Sequence, residues 1–157
     1  MEEKGYTRAK GLAYRYLAAR PRSLAELVSY LERKEIPQDY ISPIVENLKG
    51  YGYIDDRKFA ATYARYLIQT KGLSRYALRF ELKRKGVSEP DIEAGLEDLF
   101  GGEDAEDEKE VAQRIAKRKM DSMKGVDREK ARKRVTDYLR RRGYGFGVIA
   151  KVLKGQP

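Results

Sequence analysis

Apolar residues recur along this chain at three- and four-residue spacing, in short runs closed by Gly, Pro or a capping residue. From Arg8, Leu12, Ala13, Tyr16 and Leu17 predict a helix that Arg20-Pro21-Arg22 breaks. Ser23 opens a second helix, with Glu26 three residues on at capping-box spacing. Leu24, Leu27, Val28 and Leu31 form its apolar face, and Glu35-Ile36-Pro37 ends it. Ile41, Ile44, Val45 and Leu48 predict a third helix, closed by Gly50-Tyr51-Gly52-Tyr53. Residues 1–7 show no such pattern and are expected to fray.

The same order returns twice. Asp55-Asp56 offers a cap to a helix carrying Phe59, Ala60, Tyr63, Ala64, Leu67 and Ile68, which Gly72 ends. Ser74 opens the next helix, with Leu78 and Leu82 four apart. Lys83, Arg84 and Lys85 fill its last turn, where cations meet the negative end of the helix dipole. Gly86 suits the left-handed closure, and Ser88, Pro90 and Asp91 open a helix bearing Ile92, Leu96 and Leu99. After an acidic connector at 101–110, Val111, Ile115 and Met120 predict a further helix, broken near Gly125-Val126. Asp127 caps the next, with Val135 and Leu139, and Gly143 to Gly147 make a flexible corner before Val148, Ile149, Val152 and Leu153.

A shift of 51 carries Leu27, Leu31, Ile36, Ile41 and Val45 onto Leu78, Leu82, Val87, Ile92 and Leu96. A further 57 carries these onto Val135, Leu139, Tyr144, Ile149 and Leu153, and every one of these positions is apolar or aromatic. The basic pairs Arg33-Lys34, Arg84-Lys85 and Arg141-Arg142 recur with them. The expected fold is therefore all-α: three tandem three-helix repeats in an elongated, curved arrangement, over residues 8–54, 55–105 and 106–157. No clean period-two run points to a strand.

Composition adds a partner class. The net charge is +9, unevenly placed: residues 1–100 carry 18 basic and 15 acidic side chains, residues 101–110 one and six, residues 111–157 fifteen and four. A cationic end of this kind fits a polyanion or an acidic protein surface; a merely soluble surface does not need the excess at one end. Zero Cys and zero His remove disulfides, the usual zinc ligands and the usual neutral-pH base. No apolar run follows the start Met1-Glu2-Glu3-Lys4, and none spans a membrane. A monomeric cytoplasmic protein, not an enzyme and without a cofactor, is expected.

Candidate chemistry lies in charge. Arg75, Arg79 and Lys83 share one face of a helix. Their counterparts are Arg132, Thr136 and Arg140 in the third repeat, but Leu24, Val28 and Glu32 in the first, so the fold does not require the stripe. The corner residues Arg84, Lys85, Arg141 and Arg142 are equally explained by the helix dipole. Asp55 reads as a helix cap, which leaves Asp56 as a second structural acid or a contact to basic groups on a partner. Tyr16, Tyr63 and Tyr138 fall on or beside apolar stripes and read as packing rather than base-stacking residues. Tyr144 aligns with Val87 and is expected in a core slot, whereas Phe146 is unconstrained and open to exposure. The glycines at 143–147 lack the Gly-Lys-Ser/Thr ending and preceding strand of a phosphate loop.

One stretch is more specific. Tyr53-Ile54-Asp55-Asp56-Arg57-Lys58-Phe59-Ala60, then Lys71-Gly72, then Leu82-Lys83-Arg84-Lys85-Gly86-Val87 and Ile92, resemble the middle of RecX, a family of regulators of the bacterial recombinase RecA. The resemblance covers roughly residues 10–100, with a weaker match beyond, where the offset grows to 57 and Arg142-Gly143-Tyr144 replaces Lys-Gly-Val. It implies a modulator, mainly an inhibitor, that lies in the groove of the RecA filament and limits its extension, ATP hydrolysis, strand exchange and coprotease action. The expected contacts to RecA, or to single- or double-stranded DNA, are Asp56, Arg75, Arg79, Lys83, Arg84, Lys85, Arg132, Arg140, Arg141 and Arg142. A general helical DNA-binding module is the alternative.

Overall fold

The structure, a computed structural model, describes residues 3–103 and 105–155. Met1, Glu2 and Asp104, parts of the expected frayed start and acidic connector, lie outside the described residues. The described residues form nine helices and no strand. They are α1 (Glu3–Ala19), α2 (Leu24–Arg33), α3 (Gln38–Gly50), α4 (Asp56–Lys71), α5 (Arg75–Arg84), α6 (Glu89–Gly101), α7 (Glu108–Asp121), α8 (Arg128–Arg141) and α9 (Phe146–Lys154). None is long and apolar enough to cross a membrane.

The register predicted from apolar spacing is realised in burial. Of the residues matched by the shifts of 51 and 57, all are buried except Leu153, which is half-buried. Predicted caps also form. Ser23 Oγ accepts from Glu26 N while Glu26 accepts from Ser23 N, the reciprocal capping box. Asp55 Oδ1 accepts from Lys58 N, and Asp127 Oδ2 from Lys130 N. Asp107 opens α7, so the end of the acidic connector is a helix start.

One boundary differs from the sequence reading. α1 begins at Glu3 rather than Arg8. Glu3 lies in its first turn, where an acid complements the dipole. Tyr6 then packs edge-on to Tyr40 of α3, with ring centroids 6.0 Å apart, so this turn has an anchor that periodicity did not reveal.

The chain packs as two compact units: Met1–Tyr63 with Leu82–Gly95, and Ala64–Glu81 with Leu96–Pro157. α4, α5 and α6 each run across this division. In the first unit α1, α2 and α3 enclose a core of Ala9, Ala13, Leu27, Leu31, Ile41, Ile44 and Leu48. In the second, α7, α8 and α9 enclose Ala112, Ile115, Ala116, Val135, Leu139, Ile149 and Val152. Tyr144 occupies the expected core slot, and its hydroxyl donates to Gly72 O at 2.8 Å. Burial raises the pKa of that phenol.

Candidate partner-binding surfaces

The basic corner after each middle helix has a structural role in the second and third repeats. In the first unit the corner Lys85-Gly86 sits on the N-terminus of α2. Ser23 Oγ donates to Lys85 O at 2.6 Å, and a side chain at Gly86 would overlap Ala25 Cβ. Lys85 Nζ stands 3.6 Å from Glu26 Oε2 and 5.3 Å from the centre of the Tyr63 ring. In the second unit Arg142-Gly143 sits on the N-terminus of α5 in the same way. Ser74 N donates to Arg142 O at 3.0 Å, and a side chain at Gly143 would overlap Ser74 Oγ and lie 2.9 Å from Ala77 Cβ. Arg142 Nε donates to Lys71 O at 2.9 Å, and its guanidinium lies 3.5 Å above the Tyr138 ring. Ser23 and Ser74, related by the shift of 51, are both fully buried.

The first repeat shows what the glycine is for. Its corner carries Glu35 at the position of Gly86 and Gly143, with φ of 61° against their 81° and 90°. All three are left-handed, as this helix closure demands. Glu35 is exposed, so a side chain is tolerated there; at the other two corners a packed neighbour forbids one. The glycine thus serves docking as well as φ.

Asp56 also has an internal task. It is half-buried, and its Oδ1 accepts from Leu24 N, the first residue of α2, at 2.9 Å. Burial pushes its carboxyl up, against the Leu24 N–H bond, with Asp91 and Asp55 adding to the rise. Glu26, two residues after Leu24 on α2, moves the other way. Burial alone would raise its pKa, but bonds from Ser23 N and Arg20 and the nearby Lys85 hold it below the ordinary range. A groove of about 310 Å³ in this unit is lined by Tyr16, Glu26, Ser29, Arg33, Arg84 and Lys85, so two candidate cations meet a third there.

The expected stripe is not one outward face. A four-residue step advances about 40° around a helix, so such a row drifts from the flank to the outside. Arg75 and Arg79 are half-buried on α5, Arg75 at 4.6 Å from the Phe100 ring, whereas Lys83 is exposed and pairs with Glu89 at 2.7 Å. On α8, Arg132 is half-buried and donates to Leu153 O at 3.2 Å, capping α9, while Arg140 is exposed, 5.0 Å from the Phe146 ring. The exposed face of α8 is instead Glu129, Lys130, Lys133, Arg134, Asp137, Arg140 and Arg141. Lys130, Lys133 and Arg134 were missed by the repeat comparison. They lie opposite or diagonal to Ala131, Val135 and Leu139, and helical geometry around that buried row points to them.

The repeats also differ in the clasp across each corner. Gln38 Nε2 donates to Glu32 Oε1 at 3.0 Å in the first; Lys83 pairs with Glu89 in the second; Arg140 lies over Phe146 in the third. These pairs occupy equivalent positions under the shifts of 51 and 57. One place in the fold thus runs from an acidic to a neutral to a basic clasp.

Comparison with known proteins matches three family models in order: the first RecX three-helix domain over residues 9–48, the second over 55–96 and the third over 106–153. This chain belongs to the RecX family. It is 31% identical over 146 residues to the regulatory protein RecX of Streptomyces coelicolor, covering 93% of this chain and 76% of that one. With the regulatory protein RecX of Amycolatopsis mediterranei it shares 33% over 152 residues, covering 97% and 85%. The fold is similar to the crystal structure of RecX from Lactobacillus salivarius, with a TM-score of 0.80 at 19% identity, over 98% of this chain and 97% of that one. The all-α fold of three-helix repeats expected from sequence is thereby established, and membership of RecX places the chain among regulatory proteins. Within this RecX chain, Lys85, Arg142, Arg132 and Asp56 serve internal contacts, while Lys83, Arg84, Arg140 and Arg141 are exposed.

Proposed function

We propose that this protein is a modulator, mainly an inhibitor, of a RecA-type recombinase. It binds the RecA filament on DNA and limits its extension, ATP hydrolysis, strand exchange and coprotease action, and so regulates recombination and repair. The observation that supports this reading is the match to all three RecX domains in their order. It acts by binding, as a cytoplasmic monomer without a cofactor. Of the candidate contact residues, Lys83, Arg84, Arg140 and Arg141 are the exposed ones, and Lys130, Lys133 and Arg134 join them on α8.

A second reading, a helical module that binds DNA directly, draws on the outward face of α8. Five cations against two acids there suit a phosphate backbone. Salt separates the readings: binding driven by phosphate weakens steeply as salt rises. The deciding experiment measures RecA ATPase on single-stranded DNA with and without the protein, beside DNA binding by the protein alone. Inhibition at a salt concentration where the protein does not itself hold DNA is the expected result. Unchanged ATPase with excess protein, at any salt, would overturn the reading.

A further inference from the structure

Two aromatic rings on α5 have no structural duty that explains them. Tyr76 and Phe80 are 76% and 61% exposed. They lie one helical turn apart, about 6 Å along the axis, on the side opposite the buried Leu78. Singly exposed apolar residues are ordinary; two on one ridge are a different case. The repeats supply the control. The equivalent positions are Ala25 and Ser29 in the first repeat and Lys133 and Asp137 in the third. The fold therefore accepts small, polar or charged side chains here, and the rings are particular to the second repeat.

We infer that this ridge of α5 is a protein-docking surface, whose occupant is an apolar groove on a partner protein that receives both rings. Aromatic anchors with a nearby Arg are what well-packed protein interfaces use. An i, i+4 pair on a helix is the arrangement by which a helix enters such a groove. Charge tells protein from nucleic acid. Residues 55–105 carry nine basic and ten acidic side chains, whereas residues 106–157 carry sixteen and eight. α5 itself carries Arg75, Arg79, Lys83 and Arg84 against Glu81, but its repeat as a whole lacks the cationic excess that tracks a polyphosphate chain, which lies in the third repeat.

The inference rests on the proposed function in taking RecA as that partner protein. The test uses the full chain with Tyr76→Ala and Phe80→Ala together. Both side chains are largely in solvent, so thermal unfolding should match wild type. The paired Tyr76→Phe variant keeps the ring. Three readouts are taken: binding to RecA without DNA, binding to a single-stranded oligonucleotide without RecA, and RecA ATPase on single-stranded DNA. The double variant should lose at least about tenfold in affinity for RecA and in inhibitory potency. Binding to the oligonucleotide should not change, and Tyr76→Phe should behave as wild type. Equal RecA binding by the double variant and an active wild type would overturn the inference and leave the proposed function standing. Loss of oligonucleotide binding instead would make the ridge a base-stacking surface and overturn it as well. A wild-type protein that neither binds nor inhibits RecA would overturn both.

Discussion

The two corners that dock on a preceding helix perform one task with different chemistry. At the first joint a side-chain hydroxyl, Ser23 Oγ, donates to the carbonyl of Lys85; at the second a backbone N–H, that of Ser74, donates to the carbonyl of Arg142. At the first joint the corner cation meets a carboxylate, Glu26. At the second it meets a backbone carbonyl, that of Lys71. What persists is a buried serine and a left-handed glycine at equivalent positions; a cation lies over a tyrosine ring at both joints, but the ring comes from α4 at the first and α8 at the second. What varies is whether the joint contains a group that titrates. The repeat thus keeps the place of the serine and the glycine, while the cation finds its ring and its acceptor on different elements at the two joints.

The comparison is broken most severely at the glycines. Gly86→Ala places a methyl group against Ala25 Cβ and puts a non-glycine residue at φ of 81°. The left-handed penalty and overpacking together should cost about 3 kcal/mol, read as urea unfolding free energy. The same substitution at Gly143 meets Ser74 and Ala77 and should cost about as much. Ala25→Gly in the same chain should recover part of the Gly86→Ala loss, because it removes the colliding atom. Glu35→Gly should lie within about 1 kcal/mol of wild type, since Glu35 is exposed and the relieved strain offsets the added chain entropy. A large loss at Glu35, or none at Gly86, would show that the glycine answers only to φ.

These corners also mark where sequence stops being legible. The helices, their caps and the buried row could be read because each depends on residues three or four apart. The joints could not: Ser23 and Lys85 are 62 residues apart, and Arg142 and Lys71 are 71 apart. The recurring cation before the glycine was visible, but its pattern fits a helix dipole, a ligand and a joint alike. The left-handed Glu35 left no signal, because the residue there is not glycine. Arg132 was placed on an outward stripe by its spacing from Arg140, whereas its angle from Val135 brings it to the end of α9. Tyr76 and Phe80 escaped because apolar residues off the buried period look like noise until their exposure is known.

The serines give the next effect. Ser23→Ala removes the donor to Lys85 O and the acceptor for Glu26 N, leaving a half-buried carbonyl without that partner. The cost should be about 2–3 kcal/mol. Ser74→Ala removes only the acceptor for Ala77 N, because the bond to Arg142 O comes from the backbone. That cost should be about 1 kcal/mol. Equal losses would mean that the two joints are not distinguished by the origin of their donor.

Acid should loosen the first joint before the second. Glu26 has a lowered pKa in the folded protein, so its stabilisation is complete above its unfolded value near 4.5 and is lost as pH falls through the lower folded value. The hydrogen-bond acceptors of the second joint at Lys71, Gly72 and Arg142 are backbone carbonyls, which do not titrate in this range. Amide exchange should therefore quicken at residues 85–87 below about pH 4.5 while residues 142–144 keep their protection. Glu26→Gln should abolish that difference and cost about 0.5–1 kcal/mol at neutral pH, the range of a partly exposed ion pair.

Asp56→Asn should give the smallest effect, and the pH dependence of Asp56 has the opposite sign. Its folded pKa is raised, so the native state takes up a proton more readily than the unfolded chain. As pH falls from neutrality through the raised folded pKa, Asp56 adds stability, whereas the ionised form opposes folding at neutral pH. Asp56→Asn keeps an Oδ1 acceptor for Leu24 N and removes both the buried charge and its repulsion from Asp91 and Asp55. It should leave neutral-pH stability within about 0.5 kcal/mol of wild type, or slightly higher, and flatten the gain on mild acidification. Asp56→Ala leaves the Leu24 N–H without that acceptor and should cost about 1 kcal/mol. Urea unfolding at pH 7 and pH 4.5 reads both. If Asp56→Asn were as damaging as Asp56→Ala, the charge and not the acceptor would hold the start of α2. Asp56 would then belong with Glu26 as a second titrating element of the first joint, and the contrast with the second joint would be larger than the hydrogen bonds imply.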